Sequence, residues 1–85
     1  MKATLRLLIP DKKGIYKRIE AAVKMSGGQV KHSRLTRQMR GMTEAEVDVG
    51  FETNLIFTAI LGALGRIPGV ALLGAPTVNQ GPGLT

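Results

Sequence analysis

The chain has 85 residues, room for one small domain, and 44% of them are hydrophobic. It has no cysteine, which excludes disulfide bonds, cysteine-based zinc sites and thiol chemistry, and a cytoplasmic location is expected. Twelve Lys and Arg against six Asp and Glu give a formal net charge of +6. All the basic residues except Arg66 lie at or before Arg40, which suits either an anion-binding face or, more simply, a solvated one.

The first part of the chain predicts a strand, a turn and a helix. Apolar and polar residues alternate over residues 2–9, the period of a half-buried strand. The Pro-Asp-Lys-Lys-Gly sequence of residues 10–14 predicts a loop. Apolar residues then recur at three- and four-residue spacing over residues 15–26, so an amphipathic helix is predicted, ending at Gly27-Gly28.

Two extended segments, residues 29–39 and 42–52, predict a β-hairpin around Arg40-Gly41. The second segment alternates between apolar and acidic residues, so its apolar face should cover the core. A loop with an odd number of residues would put the first segment in the matching register.

In that register, Ser33 and Leu35 share the face of Val47 and Val49, while His32 and Arg34 lie beside the carboxylates of Glu46 and Asp48. Val30 breaks this alternation, which predicts a β-bulge early in the first strand of the hairpin.

Thr53 or Asn54 can cap a second helix that runs to about Ile67. This helix is apolar almost all round, so it should be covered on more than one side. Its two glycines, Gly62 and Gly65, are predicted to permit close backbone packing, because glycine is unfavourable in a helix. The apolar stretch is too short to cross a bilayer, and no membrane association is expected.

Residues 70–73 predict a short last strand, and the Gly- and Pro-rich residues that follow predict a flexible tail. The expected organisation is one domain over residues 1–75 and a tail over residues 76–85. The order of elements predicts an α+β fold of the ferredoxin-like β-α-β-β-α-β type, with two helices on one face of a four-stranded antiparallel sheet.

Few residues suit catalysis or metal binding. His32 is the only histidine, which excludes a histidine metal cluster. Glu44, Glu46 and Asp48 could bind a hard cation from one strand face, but ion pairs with basic residues such as Arg34 are the favoured interpretation. No enzyme activity, metal or cofactor is predicted.

The turn at residues 11–14 has two interpretations. It can simply start the helix. It can also expose backbone N–H groups at a helix N-terminus, beside Lys12 and Lys13, where a carboxylate such as that of a free amino acid would bind.

From about Thr4 to Leu73 the chain resembles an ACT domain. Asp11, Gly14 and Ile15 match the family's Asp-x-Pro-Gly turn and its following aliphatic residue, with Lys13 in place of the proline. Gly28-Gln29-Val30 resembles the entry to the family's second strand, and residues 64–70, Leu-Gly-Arg-Ile-Pro-Gly-Val, resemble its closing segment.

This resemblance implies a regulatory module that associates with itself, as a homodimer or larger assembly, and binds amino acids at subunit interfaces. The residues that would line the site are Asp11, Lys12, Gly14 and Ile15. Because ACT domains usually belong to larger enzymes or regulators, such a partner is implied as well.

Two alternatives stay open. One is an oligomerisation domain of the same fold without a ligand. The other is nucleic-acid binding, because the ferredoxin-like sheet also recognises RNA. That use needs aromatic residues on the open sheet face, and Phe51 is expected to face the core instead.

Overall fold

The computed structural model describes residues 1–79 and has the predicted order of elements, with one additional strand. The elements are β1 (Lys2–Pro10), α1 (Ile15–Met25), β2 (Gln29–Met39), β3 (Met42–Gly50), α2 (Asn54–Gly65), β4 (Ala71–Leu72) and β5 (Thr77–Asn79). The strands form one antiparallel sheet in the order β2-β3-β1-β4, and β5 also pairs with β1. The fold is the predicted ferredoxin-like α+β type.

A single apolar core lies between the sheet and both helices. Alternate residues of β1 and β3 are buried, as their two-residue period predicted. The helices bury Ile15, Ile19 and Val23 of α1 and Ile60 and Leu64 of α2 against them. The opposite side chains of the sheet form an outer face without a helix. Neither helix of the described residues reaches the length and hydrophobicity needed to span a bilayer.

The strands β4 and β5 lie end to end beside β1. Leu72 pairs with Leu7 and Thr77 pairs with Thr4, so residues 73–76 lie beside only two residues of β1. The sequence predicted an unstructured tail from residue 76, whereas the structure places residues 77–79 in β5. Because β4 is so short, the start of β1 has a free edge with which β5 pairs. Residues 80–85 of the predicted tail lie outside the described residues.

The side chains of the β2–β3 hairpin lie on the predicted faces of the sheet, but for a different reason than the one expected. Its loop has two residues, because Met39 pairs with Met42, so the expected odd loop is wrong. The odd residue is instead Thr36, which has no partner in the ladder between Leu35 and Arg37. This bulge restores the register that the burial pattern requires.

The consequence is that Arg34 pairs with Glu46, and Ser33 pairs with Val47. A second irregularity lies between Val30 and His32, where the sequence predicted an early bulge, and this prediction is confirmed.

Helix α2 is less covered than its sequence suggested. Leu55 is 82% exposed, and a Cβ at Gly62 or Gly65 would meet nothing within 4 Å. Among residues 1–79, no group therefore packs closely against these glycines. Within the described residues, α2 packs on α1 and on the sheet through Ile60 and Leu64, and its opposite side faces solvent.

Candidate functional site

The turn between β1 and α1 holds Asp11 against the β2–β3 hairpin. The backbone N–H of Asp11 donates to the carbonyl oxygen of Gly41 over 3.0 Å. The hydroxyl of Thr43, a buried residue, donates to Oδ1 of Asp11 at 3.0 Å. These bonds fix the carboxylate in position while Asp11 remains exposed to solvent.

Gly14 closes this turn in a left-handed conformation. Its φ is +81°, a value that side chains rarely allow, and no atom lies within 4 Å of the position of a Cβ. The N–H of Lys12 donates to Pro10 over 2.8 Å, and the N–H of Ile15 donates to Lys12 over 3.2 Å. The backbone conformation, rather than lack of space, therefore explains the glycine.

Helix α1 begins without a cap. No side chain accepts a hydrogen bond at its start, and its first turn has no acidic residue. The first N–H groups of a helix lack intrahelical partners and attract anions. Lys12 and Lys13 are exposed beside this helix start and add positive charge.

The structure brings three of the four predicted site residues to the surface. Asp11, Lys12 and Gly14 lie together at the exposed turn, whereas the side chain of Ile15 is 4% exposed and belongs to the core. Ile15 therefore presents only backbone atoms at this turn.

A groove beside the turn was not found from the sequence. It lies between α1 and β2, has a volume of about 200 Å³ and is open to solvent. Its lining residues are Tyr16, Ile19, Glu20, Val30, Ser33 and Val47. The one feature of the sequence that could have indicated this groove is Tyr16, an aromatic residue directly after the apolar position of Ile15. In the structure it is 42% exposed.

The carboxylates of β3 are engaged with neighbouring strands on the outer face of the sheet. Thr4 donates to Asp48 over 2.7 Å, and Arg6 lies 3.4 Å from Glu44. Arg34 forms an ion pair with Glu46, and this hydrogen bond and charge raise the pKa of Arg34. The ion-pair interpretation is confirmed for Glu44 and Glu46, whereas the partner of Asp48 is the hydroxyl of Thr4.

Among residues 1–79, no group of three or more His, Asp or Glu side chains is placed to hold a metal ion. His32 lies opposite Asp48 in the register, but Ser33 points to the other face of the sheet. A Ser-His-Asp arrangement is therefore not formed by these residues.

The aromatic residues lie away from the outer face of the sheet. Phe51 is 5% exposed and stacks on Phe57 with ring centroids 4.7 Å apart. The third aromatic residue, Tyr16, is on α1. The outer face thus lacks the rings on which RNA-binding sheets stack bases.

Comparison with known proteins gives matches in structure only. No model of a protein family matches the sequence, and no curated protein matches it. A solved structure of an unknown protein from Galdieria sulphuraria is 20% identical with a TM-score of 0.65, covering 95% of this chain and 46% of its own. A second structure, described as a glycine cleavage system transcriptional repressor, is 15% identical with a TM-score of 0.69, covering 93% and 47%.

These likenesses show the fold over almost all of the chain. The chain spans about half the length of each of the two solved structures.

Proposed function

We propose that this chain is a non-catalytic regulatory module of the ACT type, which binds an amino acid at the turn between β1 and α1. The observation that carries the proposal is the uncapped start of α1 directly after a fixed, exposed carboxylate. A free amino acid carries both complementary charges, a carboxylate for the helix start and an ammonium group for Asp11.

The chemistry of the turn supports this assignment. Asp11 has one carboxylate oxygen bonded to Thr43, and it can accept an ammonium donor with the other. Lys12 and the N–H groups at the start of α1 can hold the ligand carboxylate. Gly14 keeps this surface open, since it has no side chain to cover the helix start.

The ligand needs a second wall, because the turn is convex and exposed. We infer that another copy of the module supplies this wall. The open groove between α1 and β2 adjoins the turn at Tyr16 and would give the amino-acid side chain an apolar surface. A ligand bound across such an interface would change the arrangement of the subunits.

The fold neighbour supports a regulatory role. Its description is that of a transcriptional repressor, not of an enzyme, and the fold is shared over nearly the whole of this chain. Together with the resemblance of residues 11–15 to the ACT turn, this favours sensing over catalysis.

The test is calorimetric titration of the full chain with each of the twenty amino acids. The variant Asp11→Asn keeps an oxygen that accepts the Thr43 bond but removes the charge, so we expect at least a tenfold loss of affinity for the amino acid that binds. The matched control is Glu52→Gln, an exposed carboxylate away from the turn, which should leave affinity unchanged.

No heat with any amino acid, or equal affinity of Asp11→Asn and the unsubstituted chain, would contradict the proposal. Binding of RNA or duplex DNA in its place would favour the nucleic-acid alternative, for which the charge of +6 is the supporting observation.

A further inference from the structure

Helix α2 presents an exposed stripe without any charge. Its exposed residues Leu55, Thr58, Gly62 and Gly65 recur at three- and four-residue spacing, so they share one face of the helix. The whole helix, Asn54–Gly65, contains no Lys, Arg, Asp or Glu. On a chain with a net charge of +6, this is a distinct surface, which we call the α2 stripe.

Nothing in residues 1–79 explains the two glycines of the stripe. Neither has a positive φ, and a Cβ at either would meet nothing within 4 Å. Both positions would therefore accept alanine, which favours a helix more than glycine does. The absence of a side chain at these positions is an advantage only if another surface approaches the helix closely.

The stripe is complementary to itself when reversed. If two copies of α2 lie antiparallel about the level of Ile60, Leu55 of each copy lies opposite Gly65 of the other. In the same alignment, Thr58 lies opposite Gly62. Each large side chain therefore faces a glycine, as close helix packing requires.

A shallow apolar notch lies beside Gly65, where Leu55 of the other copy would arrive. It has a volume of about 30 Å³, and its lining residues are Leu7, Leu61, Leu64, Gly65, Val70 and Leu72. Leu55 is 82% exposed and Leu72 is 42% exposed, so both ends of this contact are open to solvent in the single chain.

We propose that the α2 stripe is the surface through which two copies of this chain pair, antiparallel, with Leu55 of each copy in the notch at Gly65 of the other. Two copies that each carry +6 repel one another, and the uncharged helix is where they can touch without opposing like charges. A lipid surface is a poorer occupant, because membrane-surface helices carry Lys and Arg, which α2 lacks. The pairing deepens the assembly part of the proposed function and does not require a ligand.

The test is sedimentation velocity over a range of protein concentrations, without any amino acid. The unsubstituted chain should dimerise. Leu55→Asp removes the protruding side chain at an exposed position, and we expect at least a tenfold rise in the dimer Kd with an unchanged circular dichroism spectrum. The matched control is Leu35→Asp on β2, also an exposed leucine at 62%, which should dimerise like the unsubstituted chain.

Gly65→Leu separates assembly from folding. A Cβ at this exposed position meets nothing within 4 Å among the described residues, and the longer side chain would occupy the contact with Leu55 of the other copy, so the variant should become monomeric. Circular dichroism checks that it is folded. The proposal is overturned if the unsubstituted chain is monomeric at all concentrations, if Leu35→Asp dissociates the pair and Leu55→Asp does not, or if folded Gly65→Leu pairs normally. None of these measurements uses an amino acid. They therefore test the pairing even if the amino-acid titration of the proposed function fails.

Discussion

Two tight contacts leave no room for a side chain at Gly28. A Cβ there would lie 2.6 Å from Cδ1 of Ile60 and 2.8 Å from the carbonyl oxygen of Gly50. The isoleucine can turn aside, but the carbonyl belongs to the end of β3 and cannot move alone. The glycine thus lets the chain pass between α1 and β2 close to both the sheet and α2.

We expect Gly28→Ala to lower the free energy of unfolding by about 1 to 3 kcal/mol, the usual cost of overpacking. The contrasting substitution is Gly62→Ala, where the Cβ has open space and helix propensity should raise the free energy of unfolding by up to about 1 kcal/mol. Urea denaturation of the two variants, at a protein concentration low enough to keep them monomeric, measures both. Equal effects of the same sign would contradict the packing argument.

Asp11 shows how far residue-level reasoning from the sequence extends. The ACT-like pattern was enough to select the turn and its glycine. It could not show that Thr43 fixes the carboxylate, because these residues are far apart in the sequence and meet only through the pairing of β1 with β3. The helical period of residues 15–26, by contrast, already placed Ile15 on the apolar face of α1, and its side chain is buried there.

The elements themselves were mostly predictable, because β1, α1 and β3 each bury one face and show it as a clear period. What the sequence did not reveal depends on long-range pairing. A loop with an odd number of residues and a two-residue loop with a bulge at Thr36 put the same side chains on the buried face. The burial pattern in the sequence therefore could not distinguish them. Strand β5 forms because β1 has a free edge, a fact that no local pattern contains.

Because Thr36 is the residue without a partner, its deletion should leave every cross-strand pair of the hairpin unchanged. The ladder would become regular, with Leu35 still opposite Ala45 and Arg37 still opposite Glu44. The loss is one exposed hydrogen bond from the Thr36 hydroxyl, which lies within donating distance of both the carbonyl oxygen and a carboxylate oxygen of Glu44. We therefore expect a change in stability of no more than about 1 kcal/mol. Urea denaturation and the cross-strand contacts seen by nuclear magnetic resonance would measure this.

The control for this deletion is the removal of Glu46 from β3. This strand pairs with β1 on one side and with β2 on the other. Removing one residue shifts the register of the rest of the strand by one, so its buried side chains turn toward solvent in its pairing with both neighbours. That variant should unfold or lose most of its stability. If deletion of Thr36 proved as damaging as deletion of Glu46, the bulge would be required by the fold, not merely accommodated by it.

At the scale of the whole molecule, charge and hydrophobicity are separated. The basic residues lie almost entirely in the first half of the chain, while α2 and the segment after it are nearly uncharged. Charges on the outer sheet face are partly neutralised by the carboxylates of β3. The neutral face of α2 is therefore a surface on which two cationic copies can associate.

This separation fixes the sign of the salt effect on pairing. If copies meet through the α2 stripe, the contact itself is uncharged and the net charges of +6 oppose association. Raising the salt concentration from about 0.05 to about 0.3 M shortens the screening length and should therefore strengthen the dimer. Sedimentation equilibrium measures the dimer Kd at each salt concentration.

The double variant Arg37→Gln with Arg40→Gln lowers the formal charge of each copy from +6 to +4 at the hairpin, away from α2. It should dimerise more tightly at low salt and respond less to added salt, since less repulsion remains to be screened. A dimer that salt weakens would mean that ion pairs hold the copies together. The α2 stripe itself has no charge to form them, so that result would point to Glu52 and Arg66 beside the two ends of α2, or to the basic half of the chain.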